Sequence, residues 1–246
     1  MFRRLLPTPA SNVDPAREYA GTDYLRANMV ASLDGAATVE GRVGGLTGAV
    51  DQQILTLLRD LADVLLVGAG TVRGEGYGPI PGLPLAIVTD SAEIDLSAFA
   101  DVPEDERPWV ITHGRAPVQN LPDFVRVITA GAGAVHLPSA LGELRRAGYR
   151  RVLCEGGPKL LGELLELNLV TEVCLTFSPQ FVGGDGQRII DHPRLLRGQR
   201  WLLHLGQRPK RARSYLNPWV IHKRRGFADQ PGGDPNSCGY GSRQFR

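Results

Sequence analysis

Three short stretches carry residue types whose order could do chemistry. In the first, an apolar run (Val152, Leu153, Cys154) ends in a carboxylate, Glu155, and passes through Gly156, Gly157 and Pro158 into leucines at 160, 161, 164 and 165. Those leucines fall on one face of a helix. Proline has no N–H to lose at a helix's first position. The glycines remove side chains where backbone would meet a ligand. A helix start after a parallel strand presents free N–H groups to an anion, commonly a phosphate. The same pattern also serves an ordinary strand–helix turn with glycines for close packing, and spacing alone leaves both readings open.

The second stretch is Gly68-Ala69-Gly70-Thr71, reached from the apolar run Val64–Val67. It resembles a dinucleotide fingerprint, but Arg73 stands in the third glycine slot, so a Rossmann reading is poor. Two glycines and a threonine hydroxyl still offer backbone N–H groups and a donor to a phosphate. The third stretch, Ser32-Leu33-Asp34-Gly35, puts a carboxylate at the end of a strand, where open α/β sheets keep their ligands; turn chemistry alone explains it equally. Asp51 adds a carboxylate in the first turn of an amphipathic segment. There it either complements the helix dipole or sits desolvated at the edge of an apolar pocket, able to relay a proton.

The elements that must position these groups alternate. Strands are expected over 24–32, 63–68, 84–91, 108–114, 125–129, 152–154 and 172–177. Helices are expected from Val50 to Leu61, from Ala140 to Ala147 with Ser139 as cap, and after Pro158. Gly148 and Asn168 read as left-handed stops. Residues 36–48, rich in glycine, read as a mobile loop over a site. Hydroxyl-bearing residues close several strands, among them Thr89, Ser91 and Thr112. This predicts one α/β domain with a cleft along the strand ends and a phosphate-bearing cofactor in it. Residues 1–22 read as a loosely attached lead-in, 23–225 as the domain, and 226–246 as a disordered tail.

Length and composition agree. The 246 residues, 42% hydrophobic and 22% charged, suit a soluble globular enzyme. Three scattered cysteines (Cys154, Cys174, Cys238) without a CxxC argue for a reducing cytoplasm and against a disulfide frame or a metal site. No apolar run approaches the roughly 20 residues that cross a bilayer, and the first residues are too short for a signal peptide. The net charge of +2 conceals a basic C-terminal segment: His192 to Arg246 holds twelve Lys/Arg against two acids. Three readings compete for that tail: a solvated basic extension, a shift of reading frame near 198–208, and nucleic-acid binding, the least favoured.

Taken together, Ser32-Leu33-Asp34-Gly35, Leu58-Arg59 with Asp63, Val67-Gly68-Ala69-Gly70-Thr71, Glu155-Gly156-Gly157-Pro158 with Leu160, and Pro179 with Val182-Gly183-Gly184 resemble the reductase domain of riboflavin biosynthesis. With Thr38-Val39-Glu40-Gly41 and Glu75-Gly76-Tyr77 the likeness extends to stand-alone actinobacterial pyrimidine reductases. The resemblance implies a dihydrofolate reductase-like α/β/α fold around a mostly parallel sheet, and NADPH-dependent reduction of a phosphoribosylamino-pyrimidine. It assigns Gly68, Gly70, Thr71, Thr89, Ser91, Thr112, Gly156, Gly157, Pro158 and Leu160 to the cofactor. Asn28, Ser32, Arg59 and Glu75 go to the substrate, and Asp51, Asp34 and Glu155 to catalysis. It also implies a homodimer. Leu46 stands near the place of a substrate-holding Trp of the bifunctional enzymes. Asp51 resembles the pterin-anchoring acid of dihydrofolate reductases, which makes a pterin the alternative substrate. A nucleotide-binding protein without turnover is the second class of function.

Overall fold

The computed structural model describes residues 2–4, 8–194, 204–207 and 219–222. In chain order the elements are β1 (Phe2–Arg4), β2 (Ala10–Val13), α1 (Pro15–Glu18), β3 (Tyr24–Ser32), α2 (Ala49–Asp60), β4 (Val64–Gly68), α3 (Ala69–Glu75), β5 (Leu85–Val88) and β6 (Trp109–Thr112). They continue with β7 (Arg126–Thr129), α4 (Leu137–Arg146), β8 (Arg151–Cys154), α5 (Pro158–Glu166), β9 (Glu172–Ser178), β10 (His204–Gln207) and β11 (Trp219–His222).

All seven expected strands form, and they are the parallel part of one sheet ordered β2-β1-β10-β11-β9-β3-β8-β4-β5-β6-β7. β4 shows why an almost continuous apolar run forms its central strand: Val64 to Val67 are fully buried, covered by helices on both faces. On one face α4 and α5 pack leucines and an alanine (Leu137, Ala140, Leu144, Leu160, Leu161, Leu164) over Leu66, Ile111 and Cys154. On the other, α2 and α3 set Ile54, Leu58 and Val72 over Leu65, Val67 and Ile87. The result is the α/β/α layering expected from the sequence.

Gly148 and Asn168 take positive φ (+101° and +54°) where their helices stop. Three local expectations are corrected. Ser139 does not cap α4: the helix begins at Leu137 with His136 as N-cap, because Pro138 fits the first turn, and the Ser139 hydroxyl contacts the His136 ring instead. Gly70 and Thr71 lie in the first turn of α3 rather than in a strand-to-helix turn. Residues 36–48 are tied down. The Ala37 N–H donates to the Gln187 carbonyl, the Gln180 amide donates to the Gly45 carbonyl, and Leu46 is turned into the interior.

The segment ahead of Tyr24, read as a lead-in, carries β1 and β2 at the sheet edge and a buried Tyr19. Tyr19 packs near the fully buried Arg26, whose guanidinium lies 4.0 Å from the Tyr24 ring centroid, donates to Glu172 at 2.6 Å, and donates to the Tyr19 carbonyl at 2.7 Å. A shift of reading frame does not predict β10 and β11, which pair with β1 and β9 in antiparallel register. The tail 226–246 lies outside the described residues.

Candidate active site

The parallel strands all end on one edge, and along it runs a cleft of about 1160 Å³. Three helices line it, each through residues its apolar stripe leaves over. Asp51, Leu55 and Arg59 recur every fourth residue and share one side of α2, while Ile54 and Leu58 face the core. Lys159 and Glu163 line it from α5 in the same way. Gly70, Thr71 and Arg73 line it from α3.

At one end, Glu155 is held by three donors. Arg59 donates through Nε (2.8 Å) and Nη2 (2.7 Å), and Tyr77 donates its hydroxyl at 2.7 Å. The carboxylate side chain is 4% exposed and Arg59 27%. This fork-to-fork pair orients both partners. Burial raises the Tyr77 pKa, and the neighbouring Glu155 charge adds to it, so Tyr77 stays a donor at any physiological pH. Beside this group sits Asp51, buried, with its pKa pushed up by desolvation and further by Glu155. The Thr176 hydroxyl lies close enough to oppose that shift, yet makes no hydrogen bond of normal geometry among the described residues.

In the middle of the cleft two glycine turns brace each other. The Gly68 N–H donates to the Gly156 carbonyl at 2.8 Å, and a Cβ on Gly157 would meet the Thr71 hydroxyl at 2.5 Å. Gly156 takes φ +95°, a conformation that favours glycine. Beyond it α5 opens with no side-chain cap on its N-terminus, and Gly157, Pro158, Lys159 and Leu160 face the cleft. A Cβ on Gly70 would point into open space. These bare groups fit the phosphates of a dinucleotide. At the far end Thr89, Asp90 and Ser91 follow β5, opposite Ala134 and Val135.

The RibD C-terminal domain family matches residues 23–213, most of the chain. This chain belongs to that family. It is 31% identical over 182 residues to the 2,5-diamino-6-ribosylamino-4(3H)-pyrimidinone 5′-phosphate reductase of Archaeoglobus fulgidus, a match covering 65% of this chain and 82% of the relative. Its fold matches a pyrimidine reductase-like protein from Corynebacterium diphtheriae (25% identity, TM-score 0.69, 83% of this chain and 93% of that one). It also matches the Enterococcus faecalis dihydrofolate reductase complexed with NADP(H) and RAB-propyl (14% identity, TM-score 0.53, 82% and 97% covered). The fold is therefore dihydrofolate reductase-like.

Within this RibD C-terminal domain, the cleft gathers Asn28, Asp51, Arg59, Gly68, Gly70, Thr71, Glu75, Thr89, Ser91, Glu155, Gly157, Pro158 and Leu160. It does not gather Asp34, Ser32, Thr112 or Gly156. Asp34 is exposed and serves as a tie. It accepts from the Ser32 hydroxyl and from the N–H groups of Gly183 (2.7 Å) and Val182 (3.2 Å). Those bonds, the Ser32 one foremost, bring its pKa down to about 2. Ser32 is consumed in the same knot, also accepting from the Ala36 N–H. Thr112 is fully buried and does not line the cleft. Gly156 contributes through its carbonyl to the brace. Glu75, the last residue of α3, accepts from the Val43 N–H at 3.4 Å and so links that helix to the 36–48 segment.

Among the cleft residues left without a role by the sequence reading are Tyr77, Asp90, Lys159 and Glu163. Tyr77 stands in the Glu75-Gly76-Tyr77 stretch that carries part of the likeness, and Lys159 and Glu163 are polar residues four apart on an otherwise leucine-rich helix. Cys154 and Cys174 are free and buried, with thiol pKa values pushed to about 12 by burial, which removes them from the chemistry. Among the described residues no cluster suits a metal ion, and no helix is long and apolar enough to cross a membrane.

Proposed function

We propose that this chain is a reductase that takes its hydride from NADPH and delivers it to an aminopyrimidine of the riboflavin-type series, the class of compound named for its Archaeoglobus relative. The observation that carries this reading is a single cleft with a buried carboxylate, Asp51, at one end and an uncapped helix N-terminus, that of α5, in the middle. When bound, the dinucleotide supplies the hydride. Gly68, Gly70, Gly157 and Leu160 hold its phosphates and ribose, and Thr89, Ser91 and Arg73 meet the adenosine end. Asn28 and the Arg59–Glu155–Tyr77 group fix the substrate ring, the last by presenting a carboxylate that cannot rotate. Asp51 holds the proton taken up as the ribosylamino group is reduced to a ribitylamino group, its pKa raised towards that task by desolvation.

A pterin is the second reading. It is favoured by one observation, a buried carboxylate in the first turn of α2, able to pair with a 2-amino-4-oxo ring edge. The reductase acts as a homodimer in the cytoplasm on either reading. Following loss of NADPH absorbance with the phosphoribosylamino-pyrimidine and with dihydrofolate separates the two. No oxidation with either substrate, alongside tight NADPH binding, rejects both and leaves a nucleotide-binding protein.

A further inference from the structure

The leucine stripe of α5 is interrupted by one glycine, Gly162, inside the helix, where glycine is disfavoured. The reason lies in the chain that rests on it. After β9, residues 186–192 run outside any strand or helix, and the end of this segment lies on α5. A Cβ on Gly162 would stand 2.9 Å from the His192 Cβ and 3.0 Å from the Asp191 carbonyl oxygen. The Asp191 N–H donates to the Pro158 carbonyl at 3.1 Å, and Ile190 packs on the core to which Leu161 and Leu164 belong. The His192 side chain is only 7% exposed. Its Nε2 lies 3.0 Å from one Glu166 carboxylate oxygen, and its Nδ1 accepts from the Arg194 N–H at 3.3 Å. The other Glu166 oxygen accepts from Arg194 Nη1 at 3.0 Å. Glu166, at the end of α5, thus clasps the segment.

The opposite end of the segment is part of the cleft. The Gln187 carbonyl accepts from the Ala37 N–H at 2.6 Å, Arg188 bridges to Ala36, and a Cβ on Gly186 would meet the Ala36 Cβ at 3.2 Å. Gln187, Ala37 and Thr38 all line the cleft. Ala37 and Thr38 open the 36–48 segment that leads into α2 and Asp51. One short strap therefore joins the helix whose start faces the dinucleotide to the wall beside the proton-holding carboxylate. Resting on the reductase reading above, we propose that His192 is a positioning residue for that wall: by clasping residues 186–192 to α5 through Glu166, it fixes the Gln187 carbonyl and, through it, Ala37 and Thr38 against the pyrimidine. The hydride donor and Asp51 are held by other contacts, so loss of the clasp weakens substrate capture more than it slows the chemical step.

The test reads the wall and the kinetics together on the full chain, with 5-amino-6-(5-phosphoribosylamino)uracil as substrate. In His192→Ala the Ala37 amide exchanges its hydrogen at least about tenfold faster than in wild type. The KM for the pyrimidine rises roughly five- to twentyfold, while kcat and the Kd for NADPH stay within about threefold. His192→Gln, whose amide nitrogen can still reach Glu166, recovers most of the loss. Gly162→Ala lifts the strap from the helix side and gives the same pattern, and because alanine favours a helix interior its effect is not a melting of α5. Unchanged Ala37 exchange in both His192→Ala and Gly162→Ala overturns the proposal, as does a fall in Tm with KM unmoved. Equal losses in KM, kcat and NADPH affinity overturn it too, since they mean general damage to α5. A wild-type chain that oxidises NADPH with neither this pyrimidine nor dihydrofolate rejects the reductase reading, and the positioning role falls with it.

Discussion

Asp51 and Asp34 are both strand-edge or helix-start carboxylates, and their surroundings send them to opposite tasks. Burial raises the Asp51 pKa. The folded chain therefore holds that proton more tightly than the unfolded one. The group's stabilising share is complete below the ordinary carboxylate pKa and is lost as pH rises through the raised value. Asp51→Asn should abolish turnover with little change in NADPH affinity, and at neutral pH it should raise Tm by a few degrees, a difference that disappears in acid. Retained turnover would remove Asp51 from the proton path. Asp34 has the reverse sign. Its pKa is lowered to about 2, so its contribution is present above the ordinary carboxylate value and fades as pH falls towards 2. Asp34→Ala should flatten the acid limb of the stability curve while leaving substrate KM within a few fold. Complete loss of turnover at unchanged Tm would return it to the catalytic set. From sequence the two were indistinguishable, because a one-dimensional pattern places a carboxylate at a strand end without saying whether its lone pairs are already taken by Ser32 and the 182–183 turn. Tyr77 was hidden for a related reason: nothing local marks a tyrosine that meets residues 18 and 78 positions away.

At the level of elements, the legible features were those encoded over a few consecutive residues. The apolar run of β4, the leucine stripe of α5 and the proline at its first position specify themselves locally, and they formed as expected. What stayed illegible was contact between elements. Gly157 looked like a place for close approach to a ligand, and it is also a place for close approach to Thr71. Two substitutions separate these roles. Gly157→Ala should weaken NADPH binding and cost stability, because its Cβ would sit 2.5 Å from the Thr71 hydroxyl. Adding Thr71→Ala should restore Tm but not affinity if the open backbone is what the cofactor needs. Recovery of both would show that packing alone required the glycine. A stricter steric case lies outside the site. Gly131 has φ +95°, and a Cβ there would fall 2.1 Å from the Ala134 carbonyl oxygen. Gly131→Ala should therefore destabilise by about 2–3 kcal/mol in urea titration.

Over the whole molecule, the least expected feature is a fully buried arginine. Arg26 occupies a strand position that alternation alone would fill with an apolar side chain, and it couples the N-terminal segment through Tyr19 to β9 through Glu172. Arg26→Met should cost about 3–5 kcal/mol by leaving the Glu172 charge without its guanidinium, and Arg26→Met with Glu172→Leu should recover most of it. Equal destabilisation by the double variant would mean that the pair's geometry, rather than its charge balance, holds the N-terminal segment in place.

The sheet order has a consequence for how the chain comes into being. β8 lies between β3 and β4, so residues 151–154 fill a slot whose two walls were synthesised more than eighty residues earlier. Until that strand arrives, β3 and β4 have no shared neighbour, and each presents an unsatisfied edge to any other nascent chain. The Gly68 turn likewise waits for Gly156. A polypeptide stopped short of Arg151 therefore has neither a closed sheet nor half a working cleft. Ribosome-stalled fragments ending before and after this strand should differ abruptly, the shorter ones protease-sensitive and prone to clump, the longer ones compact.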